Sequence, residues 1–133
     1  MDLSGKKAVV FGGTSGIGLA AALLLARNGA EVTAVSRKPD KAGILPSGVS
    51  LRACDVLDGS AVETLFNDLS PIDILVTAAT GGKRAIGPFL EMDIDGYKGS
   101  FDKLWGYANV VRYGAQHVKD GGSITLVSGA PAR

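Results

Sequence analysis

The sequence predicts an α/β protein built on a doubly wound parallel sheet, and three observations carry that prediction. Short apolar runs alternate with helix-forming stretches along all 133 residues. The first apolar run ends in a glycine cluster that opens straight into an Ala- and Leu-rich stretch. The residues best suited to ligand contact fall at the carboxyl ends of the predicted strands, where open parallel sheets bind their ligands. Repeated strand–helix–strand units imply right-handed crossovers with helices on both faces, three layers in all.

Each element follows from its composition. Residues 8–11, Ala-Val-Val-Phe, read as a buried strand because both faces must be apolar in a parallel sheet. Residues 17–28 are rich in Ala and Leu, and Gly29 stands where a helix-ending glycine belongs. Residues 31–36 form strand two. The stretch 38–50 carries two prolines and two glycines without periodicity and reads as a loop with one irregular turn. Strand three spans 50–55, and Asp58 or Ser60 caps a helix running to about Leu69. Strand four spans 72–77, and a loop follows from Ala78 to Pro88. A long helical stretch over 96–119 stops at Asp120-Gly121-Gly122, and strand five covers 123–128. No internal repeat or linker divides the chain, so residues 1–133 read as one domain.

Composition narrows the function classes. The net charge is +1 with both signs interspersed, which argues against a nucleic-acid surface or a polybasic membrane patch. The longest apolar run, 19–26, is far shorter than the roughly 20 residues of a bilayer span. No signal peptide is evident, and a cytoplasmic protein is expected. The single cysteine, Cys54, excludes an internal disulfide, lacks partners for a metal, and reads as a small buried hydrophobe. No metal site is expected. Glycine, at 19 residues, is about twice its usual share and gathers at turns.

The turn after strand one reads Gly12-Gly13-Thr14-Ser15-Gly16-Ile17-Gly18. Gly12 permits a tight turn, Gly16 lets a diphosphate approach the backbone, and Gly18 lets helix and sheet pack closely. The helix start then offers unpaired N–H groups and the positive end of its dipole to an anion. Glycine spacing alone is weak, but here it joins a strand to a helix, as nucleotide binding requires.

Gly12-x-x-x-Gly16-Ile17-Gly18 resembles the cofactor signature of the short-chain dehydrogenase/reductase family, and the resemblance extends over the whole chain. It implies a Rossmann fold with strand order 3-2-1-4-5 in the part present, and hydride transfer between a nicotinamide cofactor and a carbonyl or alcohol. Asp55-Val56 resembles the family's adenine-binding pair, with the carboxylate accepting from the amino group and Val56 packing on the ring. The local alternative is that Asp55 caps a turn. Small residues at Ala78 and Ala79, where the family has an Asn-Asn-Ala-Gly segment, would let the cofactor ribose pass close by.

Cofactor preference turns on the end of strand two. NAD-selective folds of this type place a carboxylate about 20 residues beyond the glycine turn, against the ribose 2′-hydroxyl. Here the segment is Ser36-Arg37-Lys38, a hydroxyl and two cations. Arg37 can pair with a 2′-phosphate through its planar fork, with Ser36, Thr14 and Ser15 as neutral donors. NADP(H) is therefore preferred, with NAD(H) as the second choice. An ordinary solvated turn is the competing reading of Arg37 and Lys38.

The catalytic set departs from the family. No tyrosine is followed four residues on by lysine: Tyr97, Tyr107 and Tyr113 are followed by Phe101, Val111 and His117. The family's helix asparagine falls at Lys103. Its serine falls at Gly129, and a register shifted by one residue makes Ser128 the catalytic candidate. Tyr113 and His117 share a helical spacing, but a solvated histidine is the ordinary reading. The chain matches the family's fold only through strand five, so the resemblance implies a truncated fold, inactive alone and an oxidoreductase when complete. The alternative is a non-catalytic NADP(H)-binding sensor or scaffold, which Lys103 and Gly129 favour. A small-molecule substrate is implied, and Lys83 and Arg84 could meet an anionic one, although an ordinary exposed loop is the favoured reading of that segment. The family's habit of pairing through its long helix implies a homodimer or homotetramer through 96–119.

Overall fold

The computed structural model describes residues 1–79 and 85–129. Five parallel strands form one sheet in the order β3-β2-β1-β4-β5, with β1 at Lys7–Phe11, β2 at Glu31–Ser36, β3 at Val49–Ala53, β4 at Ile72–Thr77 and β5 at Val118–Leu126. Helix α1 (Gly16–Arg27) connects β1 to β2, and α2 (Gly59–Leu69) connects β3 to β4. Helices α3 (Ile94–Gly99) and α4 (Asp102–Gly114) lie between β4 and β5. The Rossmann topology and strand order expected from the sequence are both present.

The alternation along β1 shows why both faces must be covered. Val9 and Phe11 enter a core with Val62, Leu65 and Phe66 of α2 and Val110 of α4. Ala8 and Val10 point the other way, into a second core with Ala22 of α1 and Val32 of β2. Helix α1 ends as its glycine predicts. Gly29 has φ +96°, its amide donates to Ala26, and the Ala30 amide donates to Leu25. That pair of bonds is a Schellman closure, which only a residue at ease with positive φ permits. Asp58 caps α2 by accepting from the Ala61 amide at 3.1 Å.

Three expectations are corrected. The helical stretch 96–119 is two helices that break at Ser100-Phe101, followed by a 3₁₀ turn at Ala115–His117. Gly96 and Gly99 weaken the first part, which is nucleated instead by the Asp93 carboxylate on the Gly96 amide at 2.9 Å. Strand β5 also begins at Val118, well before 123. Gly121 and Gly122, read as a helix stop, lie inside the strand at an irregularity in its register with β4. Gly121 has φ +78°, and a side chain at Gly122 would strike the Asp73 carbonyl at 2.6 Å, so both positions require glycine. Strand β3 is Val49–Ala53 rather than 50–55.

At the amino-terminal edge of the sheet, Asp73 is almost buried. Its carboxylate accepts from the Lys7 amide at 2.9 Å and lies 3.4 Å from Lys119 Nζ and 3.8 Å from Lys6 Nζ. The Lys7 hydrogen bond, helped by these two ammonium groups, holds its pKa below the usual carboxylate value against the opposing effect of burial. This cluster ties β1, β4 and β5 together at the end opposite the ligand cleft.

Candidate cofactor cleft

The carboxyl ends of the strands frame a cleft of about 940 Å³, near the upper end of the roughly 300–1,000 Å³ common for ligand sites. Its floor is the glycine turn. The Gly12 amide donates to Val35 at 2.8 Å, pinning the turn to β2. Gly12 has φ +73°, and a side chain there would meet the Ala79 amide nitrogen at 2.7 Å. A side chain at Gly18 would run into the Gly12 carbonyl, so helix and turn touch backbone to backbone. Gly16 differs from both. It has φ +53° and nothing within 4 Å of where a side chain would start, so the space above it is open.

The start of α1 is prepared for an anion. Ser15 occupies the cap position, yet its hydroxyl makes no capping hydrogen bond, and no acidic residue lies in the first turn. The first intrahelical donation shown is from Leu19 to the Ser15 carbonyl at 3.0 Å. The amides of Gly16, Ile17 and Gly18 are thus left to a partner other than the helix itself. Three buried side-chain polar atoms lack partners among the described residues, Ser36 Oγ, Thr77 Oγ1 and His117 Nε2, and of these only Ser36 belongs to a residue that lines the cleft. A buried hydroxyl without a hydrogen bond is costly, so a polar ligand suits Ser36. The donor set and the open space over Gly16 fit a dinucleotide diphosphate.

Most expected site residues line this one cleft: Gly12, Thr14, Ser15, Gly16, Ile17 and Gly18 on the floor, with Ser36, Arg37, Asp55 and Val56 at the β2–β3 side. Ala78, Ala79 and Ser128 line the β4–β5 side. Lys38 is the exception. It is exposed, starts the 3₁₀ turn Pro39–Ala42, and does not line the cleft, because the chain has already turned away from the strand end. Asp55 combines both of its readings. One carboxylate oxygen accepts from the Leu57 amide at 3.0 Å, closing a local turn, while the side chain still faces the cleft. Ser128 lies exposed just beyond β5. Lys83 and Arg84 lie outside the described residues.

Sequence reasoning missed how α4 shapes the cleft. Gly106 packs against Val56, with 2.7 Å between the position of an added side chain and Val56 Cγ2. Asn109 donates to the Val56 carbonyl at 2.8 Å. Tyr107 donates to the Val127 carbonyl, and its burial raises the phenol pKa. Lys103 Nζ lies 5.4 Å from the centroid of the Tyr107 ring, and Lys103 lines the cleft. Tyr113 and His117 do not form a pair. Tyr113 covers Gly59, and His117 stacks on Phe66 at 5.9 Å, because the helix tightens before residue 117. Cys54 is buried beside the cleft, and burial pushes its thiol pKa up.

Residues 12–133 match the family model described as enoyl-(acyl carrier protein) reductase. The chain belongs to the short-chain dehydrogenase/reductase family. It is 34% identical over 105 residues to L-xylulose reductase of Mesocricetus auratus, covering 77% of this chain and 42% of that protein. It is 46% identical over 88 residues to a glycine betaine reductase of Emericella nidulans, covering 58% of this chain and 7% of that one. A short-chain dehydrogenase of Burkholderia cenocepacia, solved in complex with NADP, superposes with a TM-score of 0.80 at 27% identity, covering 95% of this chain and 56% of that one. The chain spans less than half the length of these curated relatives.

Proposed function

We propose that this family member binds NADP(H) in the cleft and, in the complete protein, serves hydride transfer between the nicotinamide and a carbonyl or alcohol substrate. The observation that carries the reading is the uncapped start of α1 beneath the open space at Gly16. The diphosphate would rest on the amides of Gly16, Ile17 and Gly18, with Thr14 and Ser15 as flanking donors. Arg37 and Ser36 would hold the 2′-phosphate, since no carboxylate stands at the end of β2 to repel it. NAD(H), lacking that phosphate, would bind more weakly. Asp55 would accept from the adenine amino group and Val56 would bear on the ring, while Ala78 and Ala79 let the ribose approach the end of β4.

When bound, the nicotinamide supplies a hydride to a carbonyl carbon or accepts one from an alcohol. Ser128 would donate a hydrogen bond to the reacting oxygen from the end of β5. The sequence holds no tyrosine with lysine four residues on, so these 133 residues alone should bind cofactor without turnover. The rival reading, a non-catalytic sensor or scaffold, rests on Lys103 and Gly129, and no relative described above supports it by name. A homodimer or homotetramer would form through α3 and α4, where Phe101, Leu104 and Trp105 expose apolar surface. No described helix is long and apolar enough to cross a membrane.

Calorimetric titration with NADPH, NADP⁺, NADH and NAD⁺ tests the cofactor reading. Tighter binding of the phosphorylated pair supports it. Equal or tighter binding of NADH and NAD⁺ removes the preference, and no binding of any of the four removes the whole proposal.

A further inference from the structure

Three charged side chains line the cleft among the described residues: Arg37, Asp55 and Lys103. They are not spread evenly. Arg37 and Asp55 follow β2 and β3, on one side of the central β1. Lys103 belongs to the other side. Its ammonium lies over the Tyr107 ring, and the Tyr107 hydroxyl reaches the Val127 carbonyl at the end of β5. The Tyr107 anchor therefore draws the charge toward the ends of β4 and β5. Lys103 is half-buried and forms no ion pair among the described residues. Its neighbour Asp102 cannot serve, because adjacent helix residues point apart.

Placing the 2′-phosphate at Arg37 puts the adenosine half of the cofactor on the β2–β3 side. The nicotinamide half then extends past β1 toward β4 and β5, to the Lys103 side. The two redox states of that ring differ in charge: the oxidised ring is a pyridinium cation, and the reduced dihydropyridine is neutral. A fixed ammonium nearby repels the first and leaves the second untouched.

We infer that Lys103 sets a redox preference of the bound cofactor, holding the reduced form more tightly than the oxidised one. The inference rests on the cofactor reading above and adds the role of one residue. For unit charges separated by about one Debye length, roughly 8 Å, at an effective dielectric constant near 20 and halved for partial exposure, the expected discrimination is about fivefold. Lys103 acts here on the ring's charge as a specificity-determining group, with no proton or hydride passing through it.

The test is the ratio of the NADP⁺ to NADPH dissociation constants, measured by calorimetry on this chain and on Lys103→Met, Lys103→Gln and Lys103→Arg. The ratio should fall about fivefold in the two neutral variants, mainly through tighter NADP⁺ binding, and hold in Lys103→Arg. In the unaltered chain it should also shrink as salt is raised. Melting curves establish that each variant folds, and two neutral side chains guard against one failing to do so. An unchanged ratio in a folded neutral variant overturns the inference. So does equal weakening of both forms, which would make Lys103 a phosphate contact. If the unaltered chain binds neither form, the cofactor reading itself fails, and this inference with it.

Discussion

Replacing Gly16 by aspartate separates the folding role of the glycine turn from its binding role. Gly16 has φ +53° and faces open space, so an added Cβ meets no atom within 4 Å. The folded state bears only the cost of a non-glycine residue at positive φ, about 1–2 kcal/mol. A carboxylate in the first helical turn returns about 0.3–1 kcal/mol through the helix dipole. Stability should therefore fall by about 1 kcal/mol. Binding should suffer far more. A carboxylate about 5 Å from a diphosphate charge, at an effective dielectric constant near 20, is repelled by about 3 kcal/mol. That corresponds to a loss of more than about 100-fold in affinity. Gly16→Ala provides the control, because it meets the same backbone strain without the charge. Calorimetry with NADPH on all three proteins, beside their melting curves, reads both effects. The reasoning is refuted if Gly16→Asp folds and binds NADPH within about threefold of the original, or if Gly16→Ala loses as much affinity as Gly16→Asp.

Other predictions follow from the same contacts. Arg37→Asp should weaken NADPH by about 10-fold to 100-fold, the worth of a charge-assisted hydrogen bond plus the new repulsion, while sparing NADH; parallel titrations show whether it does. Asp73→Ala leaves the Lys7 amide without its acceptor and should cost about 1–3 kcal/mol, measured by urea unfolding at pH 7. The depressed pKa of Asp73 adds a pH signature. The part of its contribution tied to ionisation is fully present above the unfolded-state value of about 3.9 and disappears as pH falls through the lower folded-state value, so the stability gap between the variant and the original should narrow in acid. Gly106→Val should overpack the α4 contact with Val56, costing about 1–3 kcal/mol and weakening adenine nucleotides together with stability; a melting curve and an AMP titration check both.

The parts of this architecture that were legible in the sequence depend on nearby residues. The Gly12–Gly18 turn could be read because its strand, its turn and its helix are contiguous, and each glycine answers a local need. The end of α1 was legible for the same reason, since Gly29 closes it with bonds to residues only a few positions back. The region after β4 was harder. Gly121-Gly122 carries the same signal whether it stops a helix or forms a strand irregularity, and only pairing with Ile72 and Ile74 decides between them. The division of α3 from α4 depends on Asp93, Ser100 and Ala85, whose contacts no helical period displays. Within the cleft, the contacts of Tyr107 and Asn109 span 20 and 53 residues, so their roles had no local trace. Lys103 stood out in the sequence as a departure from the family pattern, but its place over the Tyr107 ring required the fold.

The most direct measurement of the central claim is an amide ¹H–¹⁵N spectrum of the isotope-labelled chain, recorded with and without saturating NADPH. If a diphosphate settles on the first turn of α1, the largest shifts belong to the amides of Ser15, Gly16, Ile17 and Gly18, with smaller ones at Ser36 and Arg37. Saturation that leaves those amides unmoved while shifts gather elsewhere would contradict the account.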